Sequence, residues 1–153
     1  MKPELTCQVA RTLDVVGEKW SLLIVRNALR GQTRFSEFRT SLGAPTDILT
    51  ARLATLVAAG ILERRSYREP GSRERFSYHL TPAGEGLRIV MAAMIAWNDE
   101  FAPASTGPAR RLVSEKGPVR LAYLDGNGRE VPRDDVLITP EELEGVLVTL
   151  RGG

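Results

Sequence analysis

The sequence predicts a mainly α-helical fold with one small β-hairpin, followed by a small α+β extension. Three observations carry that expectation. Apolar residues recur at helical spacing through the first half of the chain, up to Gly60. The period then switches to two over residues 62–67 and 76–80, with a Pro-Gly turn between them. Past Phe101 a run of Ala, Pro, Ser, Thr and Gly breaks the pattern before weaker alternation resumes.

At 153 residues the chain can build one core and a small appendage. Its net charge of +2 is too small to argue for nucleic acid by itself. Residues 1–101 hold 14 Lys/Arg against 11 Asp/Glu, so the mild basic bias sits in the first part. Cys7 is the single cysteine and His79 the single histidine, which excludes an internal disulfide and a Cys/His zinc set. The first residues, MKPELTCQ, lack an apolar signal core, and the apolar run from Ile89 to Trp97 is too short for a bilayer. The expectation is a soluble, cytoplasmic protein without cofactor, metal or membrane partner.

Taken in order, Pro3 to Thr6 reads as a helix start, with Thr6 as cap and Val9, Leu13 and Val16 as its apolar repeat. A second helix runs from Glu18 to Arg30. Trp20, Leu23, Ile24 and Ala28 face inward, and Arg26 and Arg30 face out. Phe35, Phe38 and Leu42 form the face of a third helix, which Gly43-Ala44-Pro45 breaks. A fourth spans about Thr46 to Ala59, with Leu49, Leu53 and Leu56 buried and Gly60 as its stop. Its other face is small or polar: Asp47, Thr50, Ala51 and Ala54. Two such helices joined by a tight turn are a helix-turn-helix, whose second helix can enter a DNA major groove.

The hairpin after Gly60 makes this arrangement winged. Its tip carries Arg68 and Arg73, placed either to reach a sugar-phosphate backbone or simply to keep a sheet edge soluble. Thr81-Pro82 opens a further helix. Leu87, Met91, Met94, Ile95 and Trp97 lie on it, and the stretch from Ile89 to Asn98 is uncharged. A helix apolar on more than one face needs two partners. The expected second partner is another copy of the chain, giving a homodimer that pairs DNA half-sites. A central core helix in a monomer is the alternative. In the extension, Val119, Leu121 and Tyr123 alternate, Asp125 to Gly128 turns, and Glu130-Val131 returns. Val136 to Ile138 suggests another strand, and Thr139-Pro140-Glu141-Glu142 caps a short helix carrying Leu143, Val146, Leu147 and Leu150.

These stretches resemble one family. CQVARTLDVVGEKWSLLIVRNAL (Cys7 to Leu29), RFSEF (Arg34 to Phe38), LGAPTDILTARLATLVAAGILERR (Leu42 to Arg65) and YHLTPAGEGL (Tyr78 to Leu87) are similar to HxlR-type winged-helix transcriptional regulators, relatives of the MarR group. The resemblance covers about residues 7–101 and implies a bacterial, homodimeric, DNA-binding regulator; residues 109–153 are an extension without an implied role. Pro45 stands where the family often has Ser or Ala, and Asp47 where it often has Lys or Asn.

The expected DNA contacts are Arg34, Ser36, Arg39, Thr46, Asp47, Thr50, Arg52, Arg68 and Arg73. Asp47 either accepts from a cytosine amino group or rests against the helix dipole. Thr50 either touches a thymine methyl or is an ordinary exposed residue, and Arg52 is a phosphate clamp or one half of an ion pair. The resemblance also makes Cys7 a candidate redox or electrophile sensor; its alternative is a small buried hydrophobe at a subunit contact. A small aromatic effector near Trp20 or Trp97 is a further expectation. No nucleophile-base pair, phosphate loop or metal set supports an enzyme. A winged-helix module for protein contacts, kept open by Asp47 and the weak net charge, is the competing function.

Overall fold

The computed structural model describes residues 7–103 and 112–138. The chain divides into two compact units after Pro103. In the first, helices α1 (Gln8–Val16), α2 (Lys19–Ala28), α3 (Phe35–Leu42) and α4 (Thr46–Ala58) precede the strands β1 (Leu62–Tyr67) and β2 (Arg75–Leu80). Helices α5 (Pro82–Gly86) and α6 (Arg88–Phe101) close it.

Cys7 is the N-cap of α1, in extended conformation and without a side-chain cap bond. Thr6, the expected cap, lies outside the described residues. The core forms where α2, α3 and α4 meet β1. Ile24, Val25, Phe38, Leu49, Leu53 and Leu56 are all fully buried, at 0% exposure. Each such side chain contributes about 1.5–3 kcal/mol on leaving water, so the helix-turn-helix and the core are one object. Trp20 and Leu23 are only half-buried. Val25, not among the expected inward residues, lies deeper than either. Asn27 is also buried, and its amide donates to Gln32 Oε1 at 3.0 Å and to Ser41 Oγ at 2.8 Å. A polar side chain so placed keeps its bonds only if α2, the following turn and α3 hold one geometry.

The turn into α4 is set by Gly43, whose φ of 64° is left-handed and whose N–H reaches Arg39 O at 3.1 Å. Pro45 caps α4, with an extended backbone that cannot continue α3. The wing is antiparallel from Leu62↔Leu80 to Tyr67↔Arg75. Its second strand is held to the start of α3 by a bridge between Arg34 and Ser77 and by Tyr78 N–H donating to Thr33 O at 2.7 Å. Wing and helix-turn-helix are therefore fastened backbone to backbone.

Thr81 Oγ1 accepts from Gly84 N–H at 3.2 Å and donates to Gly60 O at 2.5 Å. Here the structure departs from the single helix that the sequence suggests. The helix breaks at Leu87, which caps both α5 and α6. Leu87 is only 9% exposed and packs into the core of its own unit, unlike Met91, Met94, Ile95 and Trp97. Beyond it no residue of α6 is buried. The alternative of a central core helix is thereby excluded for α6 in the single chain.

In the second unit, β3 (Val113–Ser114) pairs with β4 (Gly117–Pro118) and β5 (Tyr123–Leu124) with β6 (Glu130–Val131). The turn at Asp125 is closed by its carboxylate, which accepts from Asn127 N–H at 2.8 Å and Arg129 N–H at 2.9 Å. Arg120 pairs with Glu130. Val136 to Ile138, expected as a strand, follow a 3₁₀ turn at Arg133–Asp135 and belong to none. The helix expected after Thr139 lies outside the described residues. Among the described residues no helix is long and apolar enough to cross a membrane, and no group of His, Cys, Asp or Glu could hold a metal.

Candidate nucleic-acid interface

With Leu49, Leu53 and Leu56 turned inward, α4 leaves Asp47, Thr50, Ala51 and Ala54 exposed on its outer face. Thr46, at the first helical position, is exposed as well. No long side chain stands on this face. Arg52 lies on the flank, one turn from Leu49 and Leu56. It is half-buried, and its Nε is enclosed without a hydrogen-bond partner among the described residues. Of the two roles the sequence offers it, the ion pair is not formed among the described residues.

Arg34 is also committed in part. Its guanidinium pairs with Glu69 of the wing turn at 3.0 Å and lies 5.0 Å from the Tyr67 ring centroid. An exposed pair of this kind is worth about 0–1 kcal/mol; its role is to link the start of α3 to the wing tip. Glu37 holds the same corner from within α3, where its Oε2 accepts from the N–H groups of Arg34 and Thr33 at 2.8 Å each. Those two bonds, first from Arg34 and then from Thr33, hold its carboxyl below the ordinary range, against a small opposing effect of burial.

Between α3 and the wing lies an open cleft of 620 Å³. Ser36 and Arg39 line it from α3; Tyr67, Arg73, Arg75 and Phe76 line it from the wing. Arg39, Arg73 and Arg75 are exposed and, with Arg68 at the tip, form no ion pair among the described residues. Arg75 was missed in the sequence, where it falls between the tip and the strand; it pairs with Tyr67 as the first residue of β2 and lines the cleft together with Arg73. Neither described cleft includes Trp20 or Trp97, near which an aromatic ligand was expected.

On α6, Met91 and Ile95 are half-buried, while Met94 is 51% and Trp97 60% exposed. Trp97 and Phe101 stack with ring centroids 5.9 Å apart. On α1, Val9 and Leu13 are likewise exposed. Cys7 is exposed at the start of that helix in the single chain.

Comparison with known proteins agrees with this architecture. The family model of the HxlR-like helix-turn-helix matches residues 15–106. The HTH-type transcriptional regulator Rv3095 of Mycobacterium tuberculosis (strain H37Rv) is 39% identical over 104 residues, which are 68% of this chain. That match spans 65% of the mycobacterial protein, less than two thirds of its length. The crystal structure of PA1607, described as a candidate transcription factor, is 37% identical with a TM-score of 0.75, covering 89% of this chain and 96% of that one. The redox regulator HypR in its oxidised form is 31% identical with a TM-score of 0.56, covering 64% of this chain and 100% of that one. From its helix-turn-helix, its wing and the length of the match, this chain belongs to the HxlR-like helix-turn-helix family.

Proposed function

We propose that this chain is a transcriptional regulator without chemistry of its own, binding operator DNA as a homodimer. Residues 7–101 form its DNA-binding and dimerisation domain, and residues 109–153 an accessory extension. The observation that carries this reading is a small-surfaced α4 together with Arg39, Arg73 and Arg75 lining the cleft between α3 and the wing, which with Arg68 at the tip form no ion pair among the described residues. In this reading α4 enters the major groove, with Thr46 and Ser36 near the groove edge and the arginines neutralising phosphates. The exposed apolar residues of α6 and α1 support a second copy as the missing partner, through Met91, Met94, Ile95 and Trp97. The redox role of HypR, together with the exposure of Cys7, supports a sensing role for this thiol, open to electrophilic effectors.

Salt-dependent affinity tests the reading. The full chain should bind duplex DNA from its own upstream region, with log K falling against log salt by about 0.9 for each phosphate neutralised. Arg39→Ala and Arg73→Ala should each lower that slope by about 1 in a dimer-normalised titration. Unchanged slopes in both variants, or no binding at low salt, would remove the reading.

A further inference from the structure

This inference rests on the DNA-reading role proposed for α4 and concerns which bases it reads. The outer face of α4 is short of hydrogen-bond donors. The carboxylate side chain of Asp47 offers acceptor oxygens. Thr50 Oγ1 gives its proton to Thr46 O at 2.7 Å, and Thr55 Oγ1 gives its proton to Ala51 O at 3.0 Å. Both hydroxyls keep lone pairs but have no proton left to offer. Ala51 and Ala54 add methyl groups alone, and the half-buried Arg52 lies on the flank. Thr46, at the start of the helix, holds the nearest uncommitted hydroxyl.

The major-groove edges of the bases sort sharply against such a face. Guanine shows two acceptors, N7 and O6, and is read by paired donors on Arg or Lys. Cytosine N4 and adenine N6 donate, and thymine carries a methyl group. We infer that α4 reads amino groups and thymine methyls and ignores guanine. Asp47 accepts from the N4 amino group of a cytosine. Thr50, Ala51 and Ala54 pack their methyls against those of thymine. The arginines of α3 and the wing supply affinity without sequence.

The test begins with selection of preferred duplexes from a random pool by the full chain. Affinity is then measured on duplexes carrying uracil for thymine, which removes the methyl, or 7-deazaguanine for guanine, which removes N7. Each contacted thymine should cost about fourfold on conversion to uracil, and 7-deazaguanine less than about twofold. Asp47→Asn adds two donors to the face. It should move the preferred base at one position of each half-site from cytosine to adenine, the base that asparagine pairs with through N6 and N7. Circular dichroism checks that this variant keeps its helices. A loss confined to the 7-deazaguanine duplex, or an Asp47→Asn variant that selects the same sequence, overturns the inference while leaving DNA binding intact. Selection that returns no preferred sequence removes the reading role itself, and the inference with it.

Discussion

Replacing Trp97 with alanine separates an assembly contact from a core contact. The indole is 60% exposed in the single chain. Full burial of a large apolar side chain is worth about 3 kcal/mol. Covering the exposed share therefore stabilises each protomer by about 1.8 kcal/mol, and a two-fold contact uses it twice, for about 3.6 kcal/mol. The dimer dissociation constant of Trp97→Ala should rise about 400-fold. Sedimentation equilibrium across a concentration series reads this directly. Unfolding of the dissociated chain should change by less than about 0.5 kcal/mol, because the core does not contain the indole. Leu87→Ala is the contrast: this side chain is in the core, so the variant should lose about 2–5 kcal/mol of folding stability. An unchanged association constant in Trp97→Ala, with the fold intact, would refute dimerisation through α6.

Three further outcomes follow. At Gly84 an added Cβ would lie 2.2 Å from Ile61 O and 2.8 Å from Leu80 Cδ2, whereas at Gly86 nothing lies within 4 Å. Gly84→Ala should cost about 1–3 kcal/mol in chemical denaturation, and Gly86→Ala should stabilise by about 0.4–1 kcal/mol; the reverse order would mean that α5 is not seated against Ile61 and Leu80. The carboxyl of Glu37 is lowered by the N–H groups of Arg34 and Thr33. Its contribution to stability is complete above the ordinary Glu range and disappears as pH falls through the lowered value. Melting temperatures between about pH 3 and 7 should thus fall less on acidification in Glu37→Gln than in the parent, and parallel curves would show that these bonds do not form. With Cys7 as the single cysteine, a disulfide formed under oxidant must join two chains. A non-reducing gel of diamide-treated protein should show a dimer band absent from Cys7→Ser, and a band present in both would exclude the thiol.

Much of the winged core was legible because its period is strict. Leu49, Leu53 and Leu56 read as one stripe and are fully buried. Gly43 and Gly60 read as stops and adopt φ of 64° and 71°. The wing strands are legible from alternation, and their observed bounds differ from the sequence reading by one residue at the start of β2. What failed has a physical cause in each case. Leu87 shares its apolar character with the residues after it, and periodicity does not show that the chain bends there and sends it to a different neighbour. The strands β3 and β4 are two residues each, below the length at which alternation carries a signal. Asn27 looks like an interruption of an apolar stripe, yet it is the residue that ties α2 to α3. Arg34 reads as a DNA contact alone, because its partner Glu69 comes from 35 positions away in the chain. The α3–wing cleft was invisible for the same reason, being built from segments that the Arg34–Ser77 bridge and the Tyr78–Thr33 bond bring together across the chain.

The most direct test places a cleavage reagent on the reading face itself. In a Cys7→Ser background, Ala51→Cys carries an iron chelate that cuts DNA near its own position. Bound to a selected duplex, the protein should produce two clusters of cuts in the major groove, one for each copy of α4, centred about 10–10.5 base pairs or a multiple of that apart. Uniform cutting, a single cluster, or cuts that appear only when the chelate is moved to Trp97→Cys on α6 would contradict a paired α4 lying against base edges.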